Sequence, residues 1–337
     1  MKRTRRVISI AALLVLAVAL VGTADPFLIG ITKIVEHLAL DACEQGVIDG
    51  LEALGYREGI EVEYLRANPQ GDMSVATTIA QNFKAQGVDL VVSITTPSTI
   101  TVVQEFADTD TPVIYTAVTA PLAYDIIVSA DDPGLNGNVT GVSDLIDVEN
   151  DLRLLKALGP EIRRIGLIYN AGEPNAEELK DQTIAAAPGV GVEIVLAVAT
   201  TSAEVQVAAQ SLVGRVDAFF VTTDNTIVSA IDSVVAVAEA AGIPFLVADP
   251  TSLAFDPVIA AGFDYYALGQ ATSTVVKQVL EGTPPSEIAP IAYSDVEPEE
   301  VWLNLDAAAK IGLTFSQELI GLANGLYYGD LHWDLKP

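Results

Sequence analysis

Four hydroxyl residues crowd one short stretch: Thr95, Thr96, Ser98 and Thr99 come directly after the apolar run Leu90–Ile94. A second hydroxyl-rich end, Thr116-Ala117-Val118-Thr119, closes the next apolar run. Hydroxyls beside the free backbone N–H groups of a helix start suit an anion such as a carboxylate. Further along, Asp224, Asp249 and Asp264 each end an apolar run, and Thr223 and Asn225 flank the first of them. Carboxylates in such places suit an ammonium group, although each also reads as an ordinary helix cap. An acid-binding end and an amine-binding end together fit an α-amino acid. Tyr115, Tyr169, Phe263 and Tyr265 are aromatic candidates for the walls. His37 lies in the loop after the first apolar run, where it either touches a ligand or is solvated.

Most enzyme chemistries have little to draw on. The chain has no Gly-rich loop ending in Gly-Lys-Ser/Thr, no Gly-x-Ser-x-Gly, no His-Glu-x-x-His and no Cys-x-x-Cys. Its two histidines are His37 and His332, so a histidine-based triad is poorly supplied. The acidic turn Asp131-Asp132 lacks the further oxygen ligands that calcium needs and reads as solvated. No metal and no cofactor are expected. The single cysteine, Cys43, cannot form an intrachain disulfide and sits on an apolar stripe as a core residue. A net charge of −28 repels nucleic acid and anionic lipid headgroups.

The elements that must position these residues form a repeat. Val88–Thr99 and Val216–Thr226 are both apolar runs of strand length that end in small polar residues. Each precedes a helical pattern and then a second strand led by proline, Pro112 in the first copy and Pro244 in the second. Strand and helix alternate along nearly the whole chain, which predicts parallel, doubly wound sheets. The series breaks near 143 and restarts. The expected architecture is α/β, with two doubly wound parallel-sheet lobes joined by a multi-strand hinge. Residues 26–142 with 268–296 form the first lobe and 143–267 with 297–324 the second. Residues 325–337 carry no clear period and are expected to be a peripheral tail. In open α/β sheets ligands sit outside the carboxyl ends of the strands, so two facing lobes close on a small molecule.

Residues 1–24 read as a signal peptide. Lys2, Arg3, Arg5 and Arg6 precede the apolar run Val7–Val21 and the small residues Gly22-Thr23-Ala24. Export to the periplasm or cell exterior is expected, with tethering by an uncleaved N-terminus as the alternative.

Several motifs occur in a familiar order: Ile31-Thr-Lys-Ile-Val-Glu-His, Gly71-Asp-Met-Ser, Ala117-Val-Thr and Gly137-Asn-Val-Thr-Gly-Val-Ser-Asp. Tyr169-Asn-Ala-Gly-Glu-Pro-Asn, Ala209-Gln-Ser-Leu-Val-Gly, Thr223-Asp-Asn-Thr and Phe263-Asp-Tyr-Tyr-Ala-Leu-Gly follow. Together, across about residues 28–315, they resemble the ABC-transporter substrate-binding proteins of the tryptophan/tyrosine type. The resemblance implies the type I periplasmic-binding-protein fold, capture of an aromatic or other amino acid, and delivery to a membrane ABC permease. Two positions depart from the family pattern and could alter ligand choice. Ala120 stands where Asp is common, and Ala176 where Ser often follows Glu-x-Asn.

Strand ends and motifs together give the expected ligand-binding set: Thr32, His37, Thr95, Thr96, Ser98, Ala117, Thr119, Ser143, Tyr169, Asn170, Asn175, Thr223, Asp224, Asn225, Asp249 and Asp264. The expected protein is a monomeric, non-enzymatic solute receptor. A secreted α/β enzyme using Asp/Glu acid–base chemistry and the sensing module of a membrane receptor are the alternatives.

Overall fold

A computed structural model describes residues 25–329 and 331–336, so the expected signal segment lies outside the described residues. The first lobe alternates β1 (Phe27–Lys33), α1 (Leu38–Ala53), β2 (Val62–Ala67), α2 (Met73–Gln86), β3 (Leu90–Ile94), α3 (Thr96–Phe106), β4 (Val113–Val118) and β5 (Val139–Ser143). The chain then crosses to α4 (Val148–Lys156), β6 (Arg164–Tyr169), α5 (Pro174–Val190), β7 (Glu193–Val198), α6 (Val205–Leu212) and β8 (Ala218–Val221). There follow α7 (Asn225–Val228), α8 (Ile231–Ala241), β9 (Phe245–Val247), β10 (Ile259–Gly262), α9 (Tyr265–Leu280) and β11 (Ile291–Ala292). The chain ends in β12 (Glu300–Asn304), α10 (Leu305–Lys310), α11 (Gln317–Leu322), β13 (Gly325–Tyr328) and β14 (Leu331–Asp334).

The strands form two sheets. The first has the order β11-β5-β4-β3-β1-β2 and is parallel throughout. The second has the order β14-β13-β12-β10-β9-β8-β6-β7. It is parallel from β7 to β10, but β12 runs antiparallel to β10 and β14 antiparallel to β13. The inner strands β3, β4, β8 and β9 are buried along their whole length, as sheets covered on both faces require. In the first lobe α1 and α9 pack together, as do α2 and α3. In the second, α4 packs with α5 and α6 with α8.

Some expectations change. The segment 325–337, read as a tail without period, supplies β13 and β14 at the edge of the second sheet. The alternation there is too short to stand out from a loop. The helical pattern behind the second copy is broken at Ser229-Ala230 into α7 and α8, with Ala230 at φ −128°. β2 starts only at Val62, because Arg57–Glu61 is taken up by a turn closed on the Arg57 carbonyl.

Three crossovers join the lobes, at 144–147, 263–264 and 293–299. They are tied to one another. Ser143 Oγ donates to the Ile291 carbonyl, and the Asp147 N–H donates to Glu299 Oε1 at 2.6 Å. The rings of Phe263 and Tyr293 meet edge to face at 5.3 Å. Motion between the lobes is thereby confined to bending of this strip.

Candidate functional site

Parallel order puts the carboxyl ends of β3, β4 and β5 opposite those of β8, β9 and β10. Between them lies a narrow cavity with about 350 Å³ of empty space, part of it open to solvent. The first lobe contributes His37, Ala39, Leu40, Thr95, Thr96, Ala117 and Thr119. The second contributes Asn175, Thr223, Asp224, Asn225, Val228 and Asp249, while Asp144 and Tyr265 come from the hinge. The lobes are closed on each other, and the Tyr124 hydroxyl of the first donates to the Pro174 carbonyl of the second.

The first-lobe wall is strained. Thr95 has φ +83° and Ala117 φ +52°, conformations that cost a β-branched or Cβ-bearing residue about 1–3 kcal/mol each. Ala117 lies at the point where the β4–β5 register shifts. Both residues line the cavity, so the strain sits where the strand ends turn toward a ligand. α3 starts at Thr96 with Pro97 in its first turn, and this N-terminus opens on the cavity. The Thr119 N–H donates to Thr96 Oγ1 at 3.4 Å, fixing the two hydroxyl-rich ends together.

Three carboxyls line the opposite side and the hinge. Asp224 is fully buried and takes the Asn170 N–H at 2.5 Å and the Ile227 N–H at 3.0 Å, so it caps α7. Burial, and then the nearby charge of Glu173, pushes its carboxyl well above the usual range. Asp249 takes the Thr251 N–H at 2.9 Å and the Ser252 hydroxyl at 2.7 Å. Asp144 accepts from the Tyr265 hydroxyl at 2.8 Å, and burial pushes it up to about 6. The lining contains no Lys or Arg. Burial lowers the pKa of His37, against the opposing charges of Asp249, Asp41 and Glu173.

Five buried polar atoms on four lining residues have no hydrogen-bond partner: His37 Nδ1 and Nε2, Thr95 Oγ1, Asn175 Oδ1 and Thr223 Oγ1. Buried polar groups are nearly always paired, so these five atoms are candidates for pairing with a ligand.

Ten of the expected site residues meet here: His37, Thr95, Thr96, Ala117, Thr119, Asn175, Thr223, Asp224, Asn225 and Asp249. Six do not. Thr32 lies inside β1, paired with Ala67 and Ser93, because the strand runs on to Lys33. Ser98 is buried in α3, one turn behind the lining. Ser143 is bonded across the hinge. Tyr169 lies under the Lys180 ammonium, 5.7 Å from its ring centre. Asn170 braces Asp224 and Thr226 and faces a neighbouring open cleft. Asp264 is exposed and caps α9 through the Tyr266 and Ala267 N–H groups. Of the aromatic candidates, Tyr265 lines the cavity, whereas Tyr115 and Phe263 are core.

Sequence reasoning passed over Ala39, Leu40, Asp144, Val228 and, behind the lining, Glu173. The apolar residues are indistinguishable by pattern from core. Asp144 follows Ser143 at the end of a motif already singled out. Glu173 takes five hydrogen bonds, from the N–H and side-chain amide of Asn225, the N–H and hydroxyl of Thr226, and the amide of Asn175. Neither Ala120 nor Ala176 lines the cavity, and Ala176 is fully buried.

The chain matches the family described as ABC transporter substrate binding protein over residues 28–326. It is 35% identical over 278 residues to a tyrosine-binding protein of Clostridioides difficile (strain R20291), covering 82% of this chain and 79% of that one. Among solved structures it resembles an ABC domain from Streptococcus pneumoniae in complex with L-Trp. That match has 28% identity and a TM-score of 0.83, over 90% of this chain and 100% of the other. The ligand-free, open structure of a substrate-binding protein with adhesive properties from Clostridium difficile is closer in sequence, at 32%, but superposes with a TM-score of 0.65 over 90% and 98% of the chains. Closed lobes account for that order: the arrangement here is nearer to the complex than to the open form. The two-sheet architecture is the type I periplasmic-binding-protein fold. The chain belongs to the family of ABC-transporter substrate-binding proteins.

Proposed function

We propose that the protein is the extracytoplasmic receptor of an ABC importer, closing on an aromatic α-amino acid and delivering it to a membrane permease. The observation that carries this reading is the set of unpartnered polar atoms inside a cavity made jointly by two closed lobes. The hydroxyls of Thr95 and Thr96, at the start of α3, suit a carboxylate. Asp224 and the free Asn175 Oδ1 suit the ammonium. Ala39, Leu40, Ala117 and Val228 give an apolar wall against which a ring can lie. Tyrosine and tryptophan, the ligands named for two relatives, have this combination of groups.

The test is mass spectrometry of whatever the purified protein releases on denaturation, followed by thermal-shift titration with the amino acids, sugars and nucleosides. A ligand that binds only the folded state raises the melting temperature by mass action. Tyrosine or tryptophan is expected to do so. A shift with a sugar or nucleoside, and none with any amino acid, would sink the proposal.

A further inference from the structure

His37 is the cavity residue whose bonding capacity is least used. It occupies the N-cap position of α1 but makes no side-chain cap bond. Both ring nitrogens are buried and unpartnered. The charged form is disfavoured by burial, which outweighs the pull of Asp249, Asp41 and Glu173. A neutral imidazole offers one donor and one acceptor nitrogen. The second-lobe groups that act on it are Asp249 and Glu173, through their charge, and Asn225, whose side-chain oxygen is placed to take a ring N–H. The Asp249 oxygens accept from Thr251 and Ser252 and face His37 as further acceptors for the ring N–H. One N–H of the Asn225 amide is given to Glu173 at 2.6 Å. Neither ring nitrogen has a partner in the closed cavity, so the acceptor nitrogen is open to a donor carried by a ligand.

The ligand's ammonium is a poor match for it. Three carboxyls line the same cavity and outbid a neutral ring for a cation. His37 also sits beside Ala39 and Leu40, which line the cavity from the first turn of α1. A donor arriving there belongs to the side chain rather than to the α-carbon groups. We infer that His37 determines specificity by accepting a hydrogen bond from an O–H or N–H on the edge of the ligand's aromatic ring. The cavity would thus select phenol- and indole-bearing amino acids over phenylalanine. This rests on the amino-acid reading given above. A bound phenylalanine would leave the acceptor nitrogen buried and unpaired, and sites built to bond a polar group reject the analogue that lacks it.

Calorimetric titration of the wild type and His37→Leu with tyrosine, tryptophan and phenylalanine tests the assignment. The wild type should bind phenylalanine at least about tenfold more weakly than the better of the other two. His37→Leu should lose about tenfold or more for tyrosine and tryptophan while phenylalanine stays within about threefold. Equal losses for all three ligands, or a wild type indifferent to the ring substituent, would overturn it. Should His37→Leu not fold, His37→Asn, which keeps one donor and one acceptor, must preserve the wild-type order, and loss of that order overturns the assignment too. Failure of the amino-acid reading looks different: the wild type itself would bind none of the three, and this assignment would fall with it.

Discussion

Asp151 is the least satisfied acidic group described in the fold, and replacing it should stabilise the protein. It lies on the inner face of α4 with Val148, Leu152 and Leu155, and it is fully buried. Neither carboxyl oxygen has a hydrogen-bond partner. The nearby Glu299, on the third crossover, also has a buried, unpartnered Oε2, while its Oε1 holds the Asp147 N–H of the first crossover. Burial pushes Asp151 well above the usual carboxylate range, and the charges of Glu299 and Asp147 add to it. The folded state therefore keeps a proton that the unfolded chain gives up above about pH 4. The sign follows from linkage: a group whose folded pKa is raised favours folding at low pH, and that advantage is lost as pH rises. Asp151→Leu removes both the proton demand and the unpaired oxygens. The expected gain is about 1–3 kcal/mol at pH 8, the cost of an unsatisfied buried group, or a melting shift of some 2–4 °C per kcal/mol. At pH 4 the gain should shrink. Scanning calorimetry of both proteins at pH 4, 6 and 8 measures it. A variant less stable than wild type at pH 8, or a difference that does not change with pH, would refute the reasoning. A stabilised variant with weakened ligand binding would instead assign the carboxyl pair to hinge bending.

Glu173→Gln should weaken ligand binding by about tenfold or more, because its five hydrogen bonds hold Asn175 and Asn225 in the cavity wall and bonds to charged groups are worth about 1.5–3 kcal/mol each. Titration calorimetry reads the loss, and unchanged affinity would remove Glu173 from the site. Tyr124→Phe removes the hydroxyl that bridges the closed lobes at Pro174, and ligand release should quicken about two- to tenfold in stopped flow with the association rate little changed. Gly46→Ala should destabilise the first lobe by about 1–3 kcal/mol or more, since the added Cβ would stand 2.1 Å from the Tyr266 carbonyl oxygen. A wild-type melting curve for that variant would contradict the close α1–α9 crossing.

The fold was legible because its signals are local and repeated. The runs Leu90–Ile94 and Ala218–Val221 are apolar but for Ser93 and buried throughout, as doubly covered parallel strands require. The N-cap Asp72 and the left-handed Gly87 bound α2 where the pattern predicts. The site was legible in part, since strand ends can be found without knowing how they face. Orientation was not legible. Asp224, Asp249 and Asp264 look alike in sequence, yet the first two are drawn into the cavity while Asp264 caps α9 in solvent. Glu173 was missed because its partners, Asn225 and Thr226, are some fifty residues away and meet it only through the β6–β8 pairing. The strands β13 and β14 were missed because each is four residues long and β14, at the edge, is exposed along its whole length.

The glycine contact between α1 and α9 also fixes an order of events. Gly46 approaches the Tyr266 carbonyl, and Gly269 approaches that of Cys43 so closely that a Cβ at either position would stand 2.1 Å from the oxygen. α9 is thus locked to the first lobe although the chain reaches it from β10 of the second. Tyr265, its first residue, travels with Thr95, Thr96 and Thr119 when the hinge bends, and Asp144 remains beside it through the Tyr265 hydroxyl. An opened molecule keeps this half of the recognition surface assembled. The other half, around Glu173 and Asp249, departs as a unit. A solute arriving from outside would therefore settle first on the larger, preassembled floor, and the second lobe would come down on it as a jaw.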